Sequence, residues 1–156
     1  MKPIVGIGNR IDRLFVFAWV FGAQLRPGIK AEARDLLTEM LTQHGAEVIA
    51  CASAAEALDE IERRRPSVLV SDISMPDEDG YALIRKLRAL RPERGGNIPA
   101  IALTGHARCE DRMRALAAGY QTHVSKPVDA AELIVVIANL NRLLDGGHSA
   151  STSSAD

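Results

Sequence analysis

The stretch Ser67-Val-Leu-Val-Ser-Asp72-Ile-Ser-Met-Pro-Asp-Glu-Asp-Gly80 decides how this chain folds. Its first half is a short, continuous apolar run, the pattern of a strand buried on both faces; its second half is dense in turn formers. A strand of that kind belongs to a parallel sheet covered by helices. It ends on Asp72, a carboxylate left where sheet gives way to loop. Two later runs end in the same way, at Leu103-Thr104-Gly105 and at Ser125-Lys126-Pro127. Ligands of open α/β sheets bind outside the carboxyl ends of the strands, so an acid, a hydroxyl and an ammonium are expected to share one rim.

Helix and strand patterns alternate on both sides of this strand. Ala33, Leu36, Leu37, Met40 and Leu41 recur at helical spacing, with Gly45 as the stop. Glu47 to Cys51 reads as a short strand. Ser53 and Glu56 stand in capping-box relation and open a helix that Arg63, Arg64 and Arg65 close ahead of Pro66. After Asp72 come a helix over 81–90, a loop over 91–97 and a strand over 98–103. A helix over 110–118 is followed by a strand over 122–125. A last helix, capped by Asp129 with Glu132, runs to about Leu144. The basic residues Arg85, Lys86, Arg88, Arg91 and Arg94 read as a solvated helix face and loop. The lone Gly6-Ile-Gly8 lacks the surroundings of a dinucleotide fingerprint.

At 156 residues, 47% hydrophobic and 25% charged, the chain has the composition of one globular domain. A formal net charge of -1 gives no long-range attraction for nucleic acid or an anionic membrane. The apolar run Leu14 to Ala23 is too short to span a bilayer. It follows Lys2, Arg10 and Arg13 as a signal-peptide core would, but Asp12 interrupts the basic region and Phe21 suits a cleavage site badly. Cys51 and Cys109 read as free thiols of a reducing compartment, so a cytoplasmic protein without nucleic-acid or membrane partners is expected. Phe15, Phe17, Trp19 and Phe21 alternate as one face of a strand would, which makes this run either the first strand or a partner or homodimer surface. An altered reading frame at the start is a third account of it.

A strand-terminal carboxylate can act as a nucleophile toward phosphorus. Lys126 can serve as a point charge on phosphoryl oxygens and Thr104 as a hydroxyl donor, while Gly105 leaves room beside it. On these residues, with Met75-Pro76 and Gly80 after Asp72, the chain resembles the receiver domain of two-component response regulators over about 31–144. The resemblance implies a flavodoxin-like, doubly wound α/β fold with a five-stranded parallel sheet in the order 2-1-3-4-5 and helices on both faces. It implies Asp72 as phosphoacceptor, Thr104 as switch hydroxyl and Lys126 as the phosphoryl-contacting lysine. It also implies the backbone carbonyl of Ser74 as a Mg2+ ligand beside Asp72, and a cis peptide before Pro127. His123 stands three residues before Lys126, in the position usually taken by an aromatic switch residue, as in receivers attached to hybrid sensor kinases. The implied partner is a histidine kinase or phosphotransfer protein.

The resemblance fails at the front. The family places two acids after the first strand to bind magnesium; here Arg26-Pro-Gly-Ile-Lys30 occupies that place, and Glu32 and Asp35 belong to the helix pattern. Magnesium requires octahedral oxygen ligands, so its binding is in question. The sequence therefore divides into an atypical segment 1–30 that supplies the first strand, a receiver body 31–144 and a disordered tail 145–156. Two functions follow from it: a phosphoacceptor receiver acting through Asp72, or a degenerate receiver that works as a phosphorylation-independent interaction module. An independent phosphatase ranks below both, because position 74 is Ser rather than a second acid.

Overall fold

A computed structural model describes residues 15–19, 27–51, 53–73, 80–105, 109–126 and 128–147. Strands β1 (Phe15–Trp19), β2 (Glu47–Cys51), β3 (Val68–Asp72), β4 (Ala100–Thr104) and β5 (Thr122–Ser125) alternate with five helices. These are α1 (Pro27–Gln43), α2 (Ala54–Arg64), α3 (Gly80–Ala89), α4 (Cys109–Ala118) and α5 (Ala130–Gly147). The strands pair in parallel in the order β2-β1-β3-β4-β5. An α/β fold with parallel strands and flanking helices is what the alternating pattern predicts.

Alternate residues of the strands feed two cores. Leu69, Ala100 and Ala102 meet Ala57 and Ile61 of α2, Leu83, Ile84 and Leu87 of α3 and Ala115 of α4. Val68, Val70, Ile101, Leu103 and Val124 meet Leu37 and Leu41 of α1 and Leu133 and Ile137 of α5. Every residue of β3 and β4 is buried, which explains why their sequences are continuous rather than alternating.

The helix caps follow from local chemistry. Ser53 Oγ accepts the Glu56 amide at 3.1 Å, and Asp129 Oδ1 accepts the Glu132 amide at 3.1 Å, so both cap signatures act at their helix starts. Gly45, at φ +88, turns the chain after α1 while the Ala46 amide donates back to the Leu41 carbonyl at 3.1 Å. At its start α1 departs from the sequence pattern. It begins at Pro27, ahead of the apolar periodicity that starts at Ala33, and proline suits the first helical position, where its missing N–H costs nothing. At the other end α5 continues to Gly147, so Asp145 to Gly147 are helical rather than part of a disordered tail.

The basic face of α3 also needs correction. Arg85 and Lys86 are exposed, but Arg88 is half-buried and its guanidinium is fully engaged. Nε and Nη2 donate to the Gly119 carbonyl at 3.0 and 2.9 Å, and Nη1 donates to the carbonyls of Gly96 and Ile98 at 2.9 and 2.7 Å. Nη2 also donates to Gln121 Oε1 at 3.0 Å, and the same oxygen accepts the Ala100 amide at 2.6 Å. Arg88 thus fastens the turns that precede β4 and β5. Burial lowers its pKa, the direction desolvation of a cation requires. Arg94 is likewise committed, donating from Nε to Glu62 Oε2 at 2.9 Å.

Candidate functional site

Because β3, β4 and β5 run parallel and end together, their last residues form one rim. Asp72 pairs in register with Leu103, and Thr104 with Ser125. The Lys126 amide donates to the Thr104 carbonyl at 2.8 Å, which carries the lysine directly past the end of β4. Its Nζ reaches back across β4 to form an ion pair with Asp72 Oδ2. The rim therefore brings Asp72, Thr104 and Lys126 together. Asp72 is fully buried, whereas the Lys126 side chain keeps 25% of its exposure.

A buried carboxylate is costly unless a cation and hydrogen bonds compensate it, and the Lys126 ammonium supplies the cation for Asp72. Thr104 is 3% exposed, and its Oγ1 has no hydrogen-bond partner among the described residues. Buried side-chain hydroxyls are as a rule hydrogen-bonded, which makes Thr104 an exception among the described residues. Gly105 beside it is open: a Cβ there would meet nothing within 4 Å.

The backbone under Asp72 is tightly built. Ser71 Oγ donates to the Asp72 carbonyl at 3.1 Å, the Ile73 amide to the Leu103 carbonyl at 3.1 Å and the Gly80 amide to the Ile73 carbonyl at 3.1 Å. Gly80 must be glycine here. A Cβ on it would lie 2.6 Å from the Asp72 carbonyl oxygen and 2.9 Å from Ile73 Cα, both backbone atoms that cannot move aside. The Tyr120 hydroxyl donates to the Gly80 carbonyl at 2.7 Å.

His123 lies in β5, half-buried, in register with Ala102 rather than with Thr104. It stands one pleat down the strand from the Thr104–Ser125 pair. Ser74, Met75, Pro76, His106, Pro127 and Gly6 to Gly8 lie outside the described residues, as do 148–156. Sequence reasoning overlooked Tyr120 and Gln121. Their only signal is a large aromatic and an amide directly after the helix stop at Gly119, where a plain turn suffices.

A model of the response regulator receiver domain matches residues 30–138. The chain belongs to the response regulator receiver family. An uncharacterised 14.6 kDa protein of Leptolyngbya boryana is 47% identical over 106 residues, covering 68% of this chain and 79% of that protein. The response regulator Rre1 of Synechocystis is 30% identical over 129 residues, covering 83% of this chain and 54% of the relative. Among solved structures, the receiver domain of the sensor histidine kinase PA1611 from Pseudomonas aeruginosa, with magnesium coordinated in its cleft, superposes with a TM-score of 0.67. It is 27% identical, with 82% of this chain and 97% of that domain covered. Family membership puts this receiver among signal-relay modules rather than enzymes.

The described residues of this receiver do not form a magnesium site; Asp77, Glu78 and Asp79 lie outside them. No Asp or Glu occurs between Asp12 and Glu32, a span that contains all of β1 and the start of α1. Asp35 is in the body of α1, more than two turns past Pro27. Among the described residues no group of three His, Cys, Asp or Glu side chains could hold a metal ion. The Asp72 carboxylate, moreover, is already neutralised by Lys126. Magnesium needs a near-octahedral oxygen set, and among the described residues the rim offers Asp72, already paired with Lys126. Among the described residues no helix is long and apolar enough to cross a membrane.

Proposed function

We propose that this chain is a degenerate receiver: a signalling module with the receiver's fold and rim but without its magnesium site, acting as a phosphorylation-independent interaction domain. The observation that carries this reading is the absence of any Asp or Glu between Asp12 and Glu32, together with an Asp72 whose charge is met by Lys126. With no metal to neutralise charge on an incoming phosphoryl group, transfer to Asp72 would be slow by orders of magnitude. Its partner is a histidine kinase or a phosphotransfer protein, a reading supported by relatives such as the hybrid signal transduction histidine kinase D of Dictyostelium discoideum, 35% identical over 108 residues. The functional body covers 31–144, with 1–30 as an atypical segment contributing the first strand.

A second reading rests on a separate observation. Thr104 Oγ1 is buried and unpartnered among the described residues, beside the Asp72–Lys126 pair, as if an anion were to complete it. In that reading Asp72 still accepts a phosphoryl group, with Lys126 and Thr104 on its oxygens and His123 in the switch position. Incubation with a small phosphodonor at millimolar magnesium, followed by intact-mass measurement, separates the two. The degenerate receiver gains no phosphoryl group; a gain that Asp72→Asn abolishes establishes the second reading instead.

A further inference from the structure

The hydroxyl of Tyr120 lies at the meeting point of two regions that the sheet keeps apart. Tyr120 directly follows α4 and leads into β5 from its amino end, whereas Asp72 stands at the carboxyl end of β3. We infer that Tyr120 is a mechanical link between the backbone of Asp72 and the α4–β5 junction. This holds whether or not Asp72 takes a phosphoryl group.

The link is short and continuous. Tyr120 is 3% exposed, and its amide donates to the Ala115 carbonyl at 3.1 Å, so its backbone is fixed to the end of α4. On one side the Gly119 carbonyl and the Gln121 side chain are held by Arg88. On the other, the tyrosine hydroxyl donates to the Gly80 carbonyl at 2.7 Å. Gly80 in turn donates its amide to the Ile73 carbonyl and lies so close to the Asp72 carbonyl that no side chain fits between them. Tightly packed interiors transmit displacement rather than absorb it. A shift of the Asp72 backbone must therefore move Gly80, and with it the hydroxyl, the aromatic ring and the start of β5.

A tyrosine that merely filled space would need only its ring. Tyr120 instead spends its one hydroxyl on a backbone carbonyl at the α3 start, forty residues away in sequence. Phenylalanine would fill the same volume without making that connection, which makes Tyr120→Phe the decisive variant.

The test uses the full chain, isotope-labelled, with backbone amide resonances as the readout. Asp72→Asn perturbs the rim, and the shifts it causes at residues 119–121 are compared in the wild-type and Tyr120→Phe backgrounds. The link predicts that these shifts fall by roughly half or more when the hydroxyl is absent, the non-additivity expected of coupled sites. Equal shifts in both backgrounds would overturn it. Arg88→Lys loosens the same turn without touching Gly80 and should leave the shifts in place; if it reduces them as much as Tyr120→Phe, general loosening replaces the link. Should Tyr120→Phe fail to fold, the wild-type protein still decides. A slowly exchanging Tyr120 hydroxyl proton is required by the bond, and a hydroxyl proton in fast exchange with water contradicts it.

Discussion

Two cations hold opposite ends of the same pair of strands, and they do so in different ways. At the amino ends of β4 and β5, Arg88 directs its guanidinium nitrogens at backbone carbonyls and an amide oxygen. At the carboxyl ends, Lys126 forms an ion pair with Asp72, and the adjacent Thr104 hydroxyl has no partner among the described residues. Arginine's planar fork suits the first task, because several fixed acceptors can be met at once. A lysine is a mobile point charge that can be drawn toward a different anion. One end fixes the turns through an arginine fork, and the other sets a buried carboxylate against a partly exposed lysine.

Removing each cation should separate the two ends most strongly. Arg88→Met removes the side-chain donor from the part-buried carbonyls of Gly96, Ile98 and Gly119 and should cost about 2–4 kcal/mol of stability in urea unfolding. Lys126→Met strands the Asp72 carboxylate, but the partial exposure of the lysine screens the pair, so the cost should be about 1–3 kcal/mol. A larger loss for Lys126→Met than for Arg88→Met would reverse the assignment of the two ends. Replacing both members, Asp72→Asn with Lys126→Met, should recover part of that loss, because the stranded charge is gone.

At that same end of the sheet, β2 closes on the buried Cys51. Burial, reinforced by Glu56 and Glu60, pushes its thiol up to about 12. An unfolded thiol ionises near pH 8.5. Since only the unfolded chain releases the proton between those values, stability contributed by the neutral thiol is complete below about pH 8.5 and is lost as pH rises toward 12. A Cys51→Ala variant should lack this component, about 1 kcal/mol by pH 9.5 in matched denaturation curves. Exposed Cys109 should react with a thiol reagent in the native state while Cys51 does not. The smallest effect belongs to Thr104→Val. Removing a hydroxyl with no partner among the described residues should change stability by no more than about 0.5 kcal/mol, and a loss above about 1.5 kcal/mol would mean the hydroxyl is satisfied internally.

Much of this was legible in the sequence, for reasons that differ by residue. Asp72, Thr104 and Lys126 were visible because each terminates an apolar run, and parallel strands place run-ends on one rim. Ser53 and Asp129 were visible because capping is local chemistry. Arg88 was not, because a guanidinium that meets carbonyls 31 residues away is indistinguishable in sequence from the solvated Arg85. The start of α1 was placed late because its apolar periodicity begins only at Ala33, whereas Pro27 fits the first helical turn without contributing to that pattern. Tyr120 was missed for the same reason as Arg88: its hydroxyl bonds to Gly80, forty residues away, and no local pattern announces that contact.

The central claim, that this receiver has kept its rim and lost its metal site, is tested most directly by titrating magnesium into the labelled protein while following the Thr104 and Lys126 amide resonances. The degenerate receiver predicts no saturable shift through the millimolar range, with or without beryllium fluoride. A saturable, Asp72-dependent shift at submillimolar magnesium would contradict it.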